Sequence, residues 1–411
     1  MEVSVGKLLS INSYHYRRGG SDAVYLDHAR LFTGNGWENR FFSMKHPRNL
    51  PTEDDRHFIE LVDSEYASGA AAKLNVALRT IYNPDSVTKV RRILGEYRPD
   101  VAHIHCAYHH ITPSILPVLT DHGVPIVITA HDLKILCPAY KMMNAGGICE
   151  RCKTGSVWNV ASHRCVKDSL GASLIVGAEA ALYRRMDSYR KHVALVVSPS
   201  KFYRDKFLEW GWPEDRIAHV PNFSAPVDAR FIQDYSAPIT YFGRLAPEKG
   251  LSTLVRAAAA ASVPVEIIGS GPSLPEISAL IASLNAPVVL RGRLDGDALW
   301  DAVGRARAIV LPSEWYENGP MSVLEAFYLE RPVLGADIGG IPEMIADADG
   351  GWLFESGNVT ALAQALRTVD DTGTAQLAER GRSGSAYARV VHSSERYFDS
   401  VARLYAGLKP A

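Results

Sequence analysis

The chain has 411 residues, 47% of them apolar and 22% charged, with a formal net charge of −1. This excludes a disordered or fibrous chain and predicts a globular protein of two domains. No apolar run reaches the roughly 20 residues of a membrane-spanning helix. The first residues, MEVSVGKLLSINSYHY, also lack the long apolar core of a signal peptide, so the expected location is cytoplasmic.

The charge is uneven. Residues 1–222 carry 28 Lys+Arg against 23 Asp+Glu, a net of +5, and residues 223–411 carry 16 against 22, a net of −6. A basic first half suits an anionic partner: a phosphorylated substrate or an acidic membrane surface at the inner face, bound peripherally. Ordinary scatter is the plain alternative. No nucleic-acid partner is expected.

In chain order, apolar runs at 3–11, 101–104, 126–129 and 195–197 each lead into a helical segment. After residue 236 the rhythm restarts. ITYF precedes a helix from about Leu251, and VEIIG one near Leu274. VVLRG precedes a helix near Leu299, AIVLP one near Met321, and PVLGA one near Ile341. Short strands alternating with helices predict parallel sheets covered on both faces. The expected fold is therefore α/β, with two doubly wound Rossmann-like domains whose ligands sit in a cleft at the carboxyl ends of the strands.

The boundaries place a first domain at 1–222, a linker at 223–237, a second domain at 238–385 and a last segment at 386–411. That segment contains RYFDSVARLYAGL, with apolar spacing at Phe398, Val401, Leu404 and Tyr405. A helix at 174–192 ends in the basic run YRRMDSYRKH, which could touch lipid headgroups but reads more simply as a solvated face.

Residues 137–165 interrupt the pattern. The stretch carries Cys137, Cys149, Cys152 and Cys165 at spacing C-x11-C-x2-C-x12-C. In a cytosolic protein a metal or free thiols are favoured over disulfides, and the spacing suits a tetrahedral S4 zinc site, with His163 as a substitute ligand and free or paired cysteines as the alternative. The expected role is a structural clip beside the acceptor entrance.

Five other stretches could carry chemistry. In SEWYENGPMSVLEAF (313–327), Glu317 stands at a strand end, and Glu325 is placed two turns into a helix starting near Gly319. That helix start offers N–H groups at Gly319, Met321 and Ser322. Ionised carboxylates accept hydrogen bonds from sugar hydroxyls. In YFGRLAPEKG (241–250), Gly243 ends a strand, and Arg244 and Lys249 are set for a diphosphate. GSGP (269–272) is a further strand-to-helix turn. In YHYRRGGSD (14–22), Gly19 and Gly20 let backbone approach a ligand. Finally, DVAHIHC and ITAHD place His103, His105, His131 and Asp132 at strand ends. They could ligate a metal, though binding hydroxyls is the favoured reading.

The combination of FGRLAPEKG, GSGP, PSEWYENGPMSVLEA and GGIPE (339–343) resembles glycosyltransferase family 4. The first domain is similar in turn, with its glycine pair, DVAHIH, ITAHD, SPS (198–200) and VPN (220–222), so nearly the whole chain is covered. The resemblance implies the GT-B fold, with the C-terminal helix crossing back to the first domain. It also implies retaining transfer from a nucleotide diphosphate sugar to a saccharide or lipid-linked acceptor, as in polysaccharide or glycolipid synthesis.

By that resemblance Glu317 meets the donor sugar, Glu325 the ribose, Arg244 and Lys249 the diphosphate, and His131 the reacting centre. Gly20, Gly243, Gly271, Arg293, Asn318, Gly319, Met321 and Ser322 complete the donor site. Gly19, His105, His109 and Asp132 form the acceptor side. No catalytic metal or other cofactor is expected, because the Arg–Lys pair does that electrostatic work. Two departures stand out: Asp22 where the family often has Glu, and Asn318-Gly319-Pro320 where it often has aromatic and Gly residues. The alternatives are another GT-B enzyme, such as an epimerase or phosphorylase, or an idle metal-binding scaffold.

Overall fold

The computed structural model describes residues 6–61, 69–224 and 235–409. Its contacts divide the chain into two compact units, Met1–Val220 with Tyr397–Ala411, and Pro221–Arg396. The division thus falls at 220/221 and 396/397, where the sequence suggested 222 and 385. Most of the predicted linker, 225–234, lies outside the described residues, as do positions 3–5 of the first predicted strand.

The first unit holds a parallel sheet in the order β2-β1-β3-β4-β7-β8. Its strands are β1 (Lys7–Ile11), β2 (Glu38–Phe42), β3 (Val101–Ile104), β4 (Ile126–Thr129), β7 (Val193–Ser198) and β8 (Ile217–His219). The second unit holds a parallel sheet in the order β11-β10-β9-β12-β13-β14. Its strands are β9 (Ile239–Phe242), β10 (Val265–Ile268), β11 (Val288–Gly292), β12 (Ile309–Leu311), β13 (Val333–Ala336) and β14 (Gly351–Phe354). Between β4 and β7 lies a short antiparallel pair, β5 (Met143–Asn144) and β6 (Gly147–Ile148), inside the cysteine-rich stretch.

β3, β4, β9 and β10 are buried at every position, as central strands covered by helices on both faces must be. In the two six-stranded sheets, the strands that the apolar runs did not reveal, β2, β8 and β14, are all at edges. An edge strand needs apolar side chains only where a neighbour covers it, so ENRFF carries no continuous apolar signal.

The predicted helix at 174–192 is two helices, Leu170–Arg185 and Ser188–His192. They break at Asp187, which takes left-handed backbone (φ 51°). The predicted C-terminal helix is Ser394–Ala406, preceded by a separate helix Thr374–Val391 that runs across the expected boundary at 385. The last helix buries Tyr397, Phe398, Val401, Ala402 and Tyr405, whereas Leu404 is only half-buried. Among the described residues no helix is long and apolar enough to cross a membrane.

In the second unit the strand order reverses direction between β9 and β12. Open sheets of this kind bind ligands beside such a switch point, at the carboxyl ends of the strands. The loops leaving β9 and β12 are FGRLAPEKG and PSEWYENGP. In the first unit the switch lies between β1 and β3, whose loops carry Gly19, Gly20, His105 and His109.

Candidate active site

In the second unit, Lys249 ends the single turn Pro247–Lys249 and Glu317 stands in the loop after β12. Lys249 Nζ donates to Glu317 Oε1 at 2.6 Å, and the Ser313 hydroxyl donates to the same oxygen at 2.7 Å. Burial pushes the Glu317 carboxyl up, but Lys249 and Ser313 outweigh it and hold the group below its ordinary range. The Lys249 ammonium also lies 5.4 Å from the Trp315 ring centroid, a cation–π distance.

Glycines let these loops approach. Gly250 has φ 65°, and a Cβ there would fall 1.8 Å from the Pro312 carbonyl oxygen. Gly339, with φ 64°, would place a Cβ 2.4 Å from the Glu317 carbonyl oxygen. The Gly340 N–H then donates to that carbonyl at 2.8 Å, so the GGIPE motif props the backbone of Glu317. Asn222 Nδ2 donates to the Gly319 carbonyl at 3.3 Å.

Arg244 is paired with Glu248, a buried carboxylate that the sequence reading passed over inside APEKG. Backbone bonds knit the neighbouring turns: Gly243 N–H to the Ile268 carbonyl (3.0 Å), Leu245 N–H to Ser270 (2.9 Å) and Gly269 N–H to Gly292 (2.8 Å). Gly271 sits against Leu245, where a Cβ would lie 2.2 Å from its carbonyl oxygen. Arg293 is exposed and grips Asp295 through Nε and Nη2 at 2.9–3.1 Å.

The helix after this loop is Met321–Tyr328, with Pro320 as its N-cap. It starts two residues later than expected. Glu325 therefore lies little more than one turn in, where two turns had been expected. Met321 and Ser322 keep the free N–H groups of a first turn. Burial raises the Glu325 carboxyl to about 7, and it has no hydrogen-bond or ion-pair partner among the described residues.

The first unit holds the remaining candidates. Gly19 caps the helix Gly20–Gly34, and both glycines are exposed, with open space where a Cβ would stand at Gly19. His109 is half-buried in left-handed backbone, its Nδ1 3.4 Å from Glu179. Asp132 accepts from the Lys134 N–H at 2.9 Å, and burial raises its carboxyl to about 6.

His105 does not belong to an acceptor surface: it is fully buried. It stacks on His103 at 4.5 Å and on His131 at 5.2 Å between ring centroids. Its Nδ1 shares a 2.9 Å hydrogen bond with His131 Nε2, while its own Nε2 has no partner. A buried N–H without an acceptor is costly. The tautomer that avoids one has His105 donating from Nδ1, which leaves the His131 proton on Nδ1.

Behind this pair, His28, His103 and His105 bring ring nitrogens within 4.8 Å of one another. Hydroxyl groups bond the ring nitrogens of His28 and His103. Tyr397 bonds His28 at 3.0 Å, Thr129 bonds His103 at 2.7 Å, and Tyr405 reaches both His28 and His103. Burial lowers every histidine of the stack, His28 and His131 to about 3. The sequence reading missed His28 because it lies inside a helix, away from any strand end.

The four clustered cysteines form no disulfide, and all four line one small cavity of about 10 Å³ with Pro138, Ala139 and Trp210. Backbone N–H groups of Met142 and Ala139 bond the Cys137 sulfur. Burial, then the neighbouring thiols, raises Cys152 and Cys165 to about 11. The donor set suits zinc, but no three of these sulfurs come within 4.8 Å of one another. His163 turns instead to Arg151, 2.6 Å from its Nε2.

Comparison with known proteins agrees with this architecture. The family described as Glycosyltransferase Family 4 matches residues 18–224, just over half the chain, and Glycosyl transferases group 1 matches residues 230–382. The chain belongs to glycosyltransferase family 4. It is 28% identical over 170 residues to alpha-D-kanosaminyltransferase of Streptomyces kanamyceticus, covering 39% of this chain and 43% of that protein. It is 26% identical over 300 residues to alpha-maltose-1-phosphate synthase of Mycolicibacterium smegmatis, covering 70% and 69%. The fold is that of Anabaena HepE, solved with UDP. The TM-score is 0.66 at 17% identity, with 98% of this chain and 100% of that one covered.

Proposed function

We propose that the protein is a retaining glycosyltransferase that moves a sugar from a nucleotide diphosphate sugar to an acceptor hydroxyl. The observation that carries this is the Lys249–Glu317 pair at the switch point of the second sheet, with the unpartnered carboxyl of Glu325 on the helix that follows. The related transferases and the UDP bound to HepE support it.

On this reading the diphosphate draws Lys249 from Glu317 and Arg244 from Glu248. Glu317 then accepts hydrogen bonds from the donor sugar, and Glu325 from the ribose. The acceptor oxygen attacks the anomeric carbon on the face that the phosphate leaves. The new C–O bond forms as the old one breaks, and the acceptor proton passes to the departing phosphate oxygen. Lys249, Arg244 and the N–H groups of Met321 and Ser322 stabilise the negative charge that builds there.

Glu325 makes donor binding dependent on pH. Ribose hydroxyls donate to the ionised carboxylate and so favour it. With the free group at about 7, binding near neutrality should release roughly half a proton. Below that pH, affinity should fall by up to about tenfold per unit. Titration calorimetry with a panel of nucleotide sugars, in buffers of different ionisation heat, measures this. Glu325→Gln should abolish the release. A panel in which no donor binds removes the transferase reading, while pH-independent binding removes only the role of Glu325.

We also propose that Cys137, Cys149, Cys152 and Cys165 hold a structural zinc ion, which would draw the four sulfurs inward and lock the loop between β4 and the helix Leu170–Arg185. Zinc would keep the thiolates ionised at neutral pH. Metal analysis of protein purified under reducing conditions should find about one equivalent. Less than half an equivalent ends the zinc assignment.

A further inference from the structure

A cavity in the first unit shares no residue with the proposed catalytic groups. It measures about 330 Å³, within the range of small-ligand sites. One wall is the segment 134–138, which leads into the cysteine-rich stretch. The second is the helical pair Leu170–Arg185 and Ser188–His192, and the third is the Trp210–Trp212 turn after the helix Lys201–Glu209.

Its charge is unbalanced. Lys134, Lys153, Arg184 and Arg190 face Glu179 and Asp187 across the lining. Glu179 is already neutralised by Lys134, 2.7 Å away and equally buried. Lys153 reaches Glu209 at 3.7 Å. Arg184 and Arg190 have no carboxylate within ion-pair distance among the described residues. Burial, and last the nearby Arg190 charge, disfavour the charge of Arg184.

Both arginines are exposed, and their guanidinium groups are tethered to backbone carbonyls. Arg184 donates to the carbonyls of Cys152 (3.1 Å) and Leu136 (3.0 Å), and Arg190 to that of Trp210 (3.0 Å). Each spends only part of its five-donor fork on these bonds. The two guanidinium groups outnumber the Asp187 carboxylate in the same lining and present the forked donors that a phosphate monoester accepts. The rest of the wall is apolar and aromatic, with Leu136, Pro138, Tyr183, Trp210 and Trp212. Such faces stack against the C–H face of a sugar ring.

We propose that this cavity is a second ligand site of the protein, for a sugar carrying a phosphate group held by Arg184 and Arg190. The site requires no part of the transfer reaction. The cysteine-rich stretch then acquires a task, because its backbone positions Arg184 and forms a wall of the site.

Glucose 6-phosphate is the test ligand, titrated into the full-length protein and followed by calorimetry and tryptophan fluorescence. Saturable binding is expected, weakened at least tenfold by Arg190→Ala and unchanged by Lys249→Ala. Glucose and inorganic phosphate, each half of the ligand, should bind at least tenfold more weakly. Trp210→Leu, which leaves both arginines in place, should also weaken binding. No saturable binding at millimolar concentration would overturn the proposal. So would binding that Arg190→Ala and Trp210→Leu leave unchanged while both variants melt like the parent. Tighter binding of glucuronate than of glucose 6-phosphate would overturn the phosphate assignment.

Discussion

Lys249→Ala is expected to lower turnover by roughly 10²–10³-fold, the loss typical of a single charge-stabilising donor in an active site. The ammonium is the cation nearest to Glu317. It can shift to a diphosphate at the cost of one charge-assisted bond. Stability must be separated from catalysis, because the substitution leaves a buried carboxylate with Ser313 as its remaining hydrogen-bond donor. Removing one partner of a buried pair typically costs about 3–5 kcal/mol. The Glu317 carboxyl should then rise, since burial is the largest influence on it. The double variant Lys249→Ala/Glu317→Gln removes the orphaned charge. It should recover the melting midpoint without recovering turnover. Single-turnover transfer within about tenfold of the parent, by a folded Lys249→Ala variant, would take Lys249 out of the diphosphate role.

The second large effect is acid unfolding confined to the first unit. His28 and His131 are lowered to about 3 and His15 to about 4, with His103 and His105 well below their ordinary value, in each case chiefly by burial. The native state keeps these rings neutral, while the unfolded chain protonates them below about 6.5. Stability is therefore full above that pH and lost as pH falls from about 6.5 towards 3. At pH 5 each ring costs roughly 2 kcal/mol. Asp132, raised to about 6, works the other way and returns about 1 kcal/mol at that pH. The balance approaches the whole stability of a typical domain, about 5–15 kcal/mol. The second unit contains His392 and no other histidine, so it lacks this liability. Hydrogen exchange at pH 7 and pH 5, resolved by peptide, should show protection lost across β1, β3 and β4 but kept across β9 and β12. Equal loss in both units, or none in the first, would contradict the histidine account.

Local chemistry made much of this protein legible from its residues. The central strands show as unbroken apolar runs because a parallel strand covered on both faces must be apolar throughout. Arg244, Lys249 and Glu317 stand out because charged residues in the loops after such strands, flanked by Gly250 and Pro320, fit no core, and Glu325 stands out by its spacing of eight from Glu317. The edge strands β2, β8 and β14 stayed hidden, since one uncovered side frees their composition.

What the sequence determined by itself was thus the two-sheet α/β architecture and the stretches from which a sugar-transfer site would be built. Tertiary structure alone decided who meets whom. Lys249 and Glu317 stand 68 positions apart and pair because β9 and β12 are neighbours in the sheet. His103 and Tyr405 are 302 positions apart and share one hydrogen bond. The direction of each titration shift was equally out of reach. His105 and His131 look alike as strand-end histidines, yet one is sealed in a stack of rings and the other half-buried at its end. Burial and pairing are properties of the assembled chain, set by contacts that no local pattern encodes.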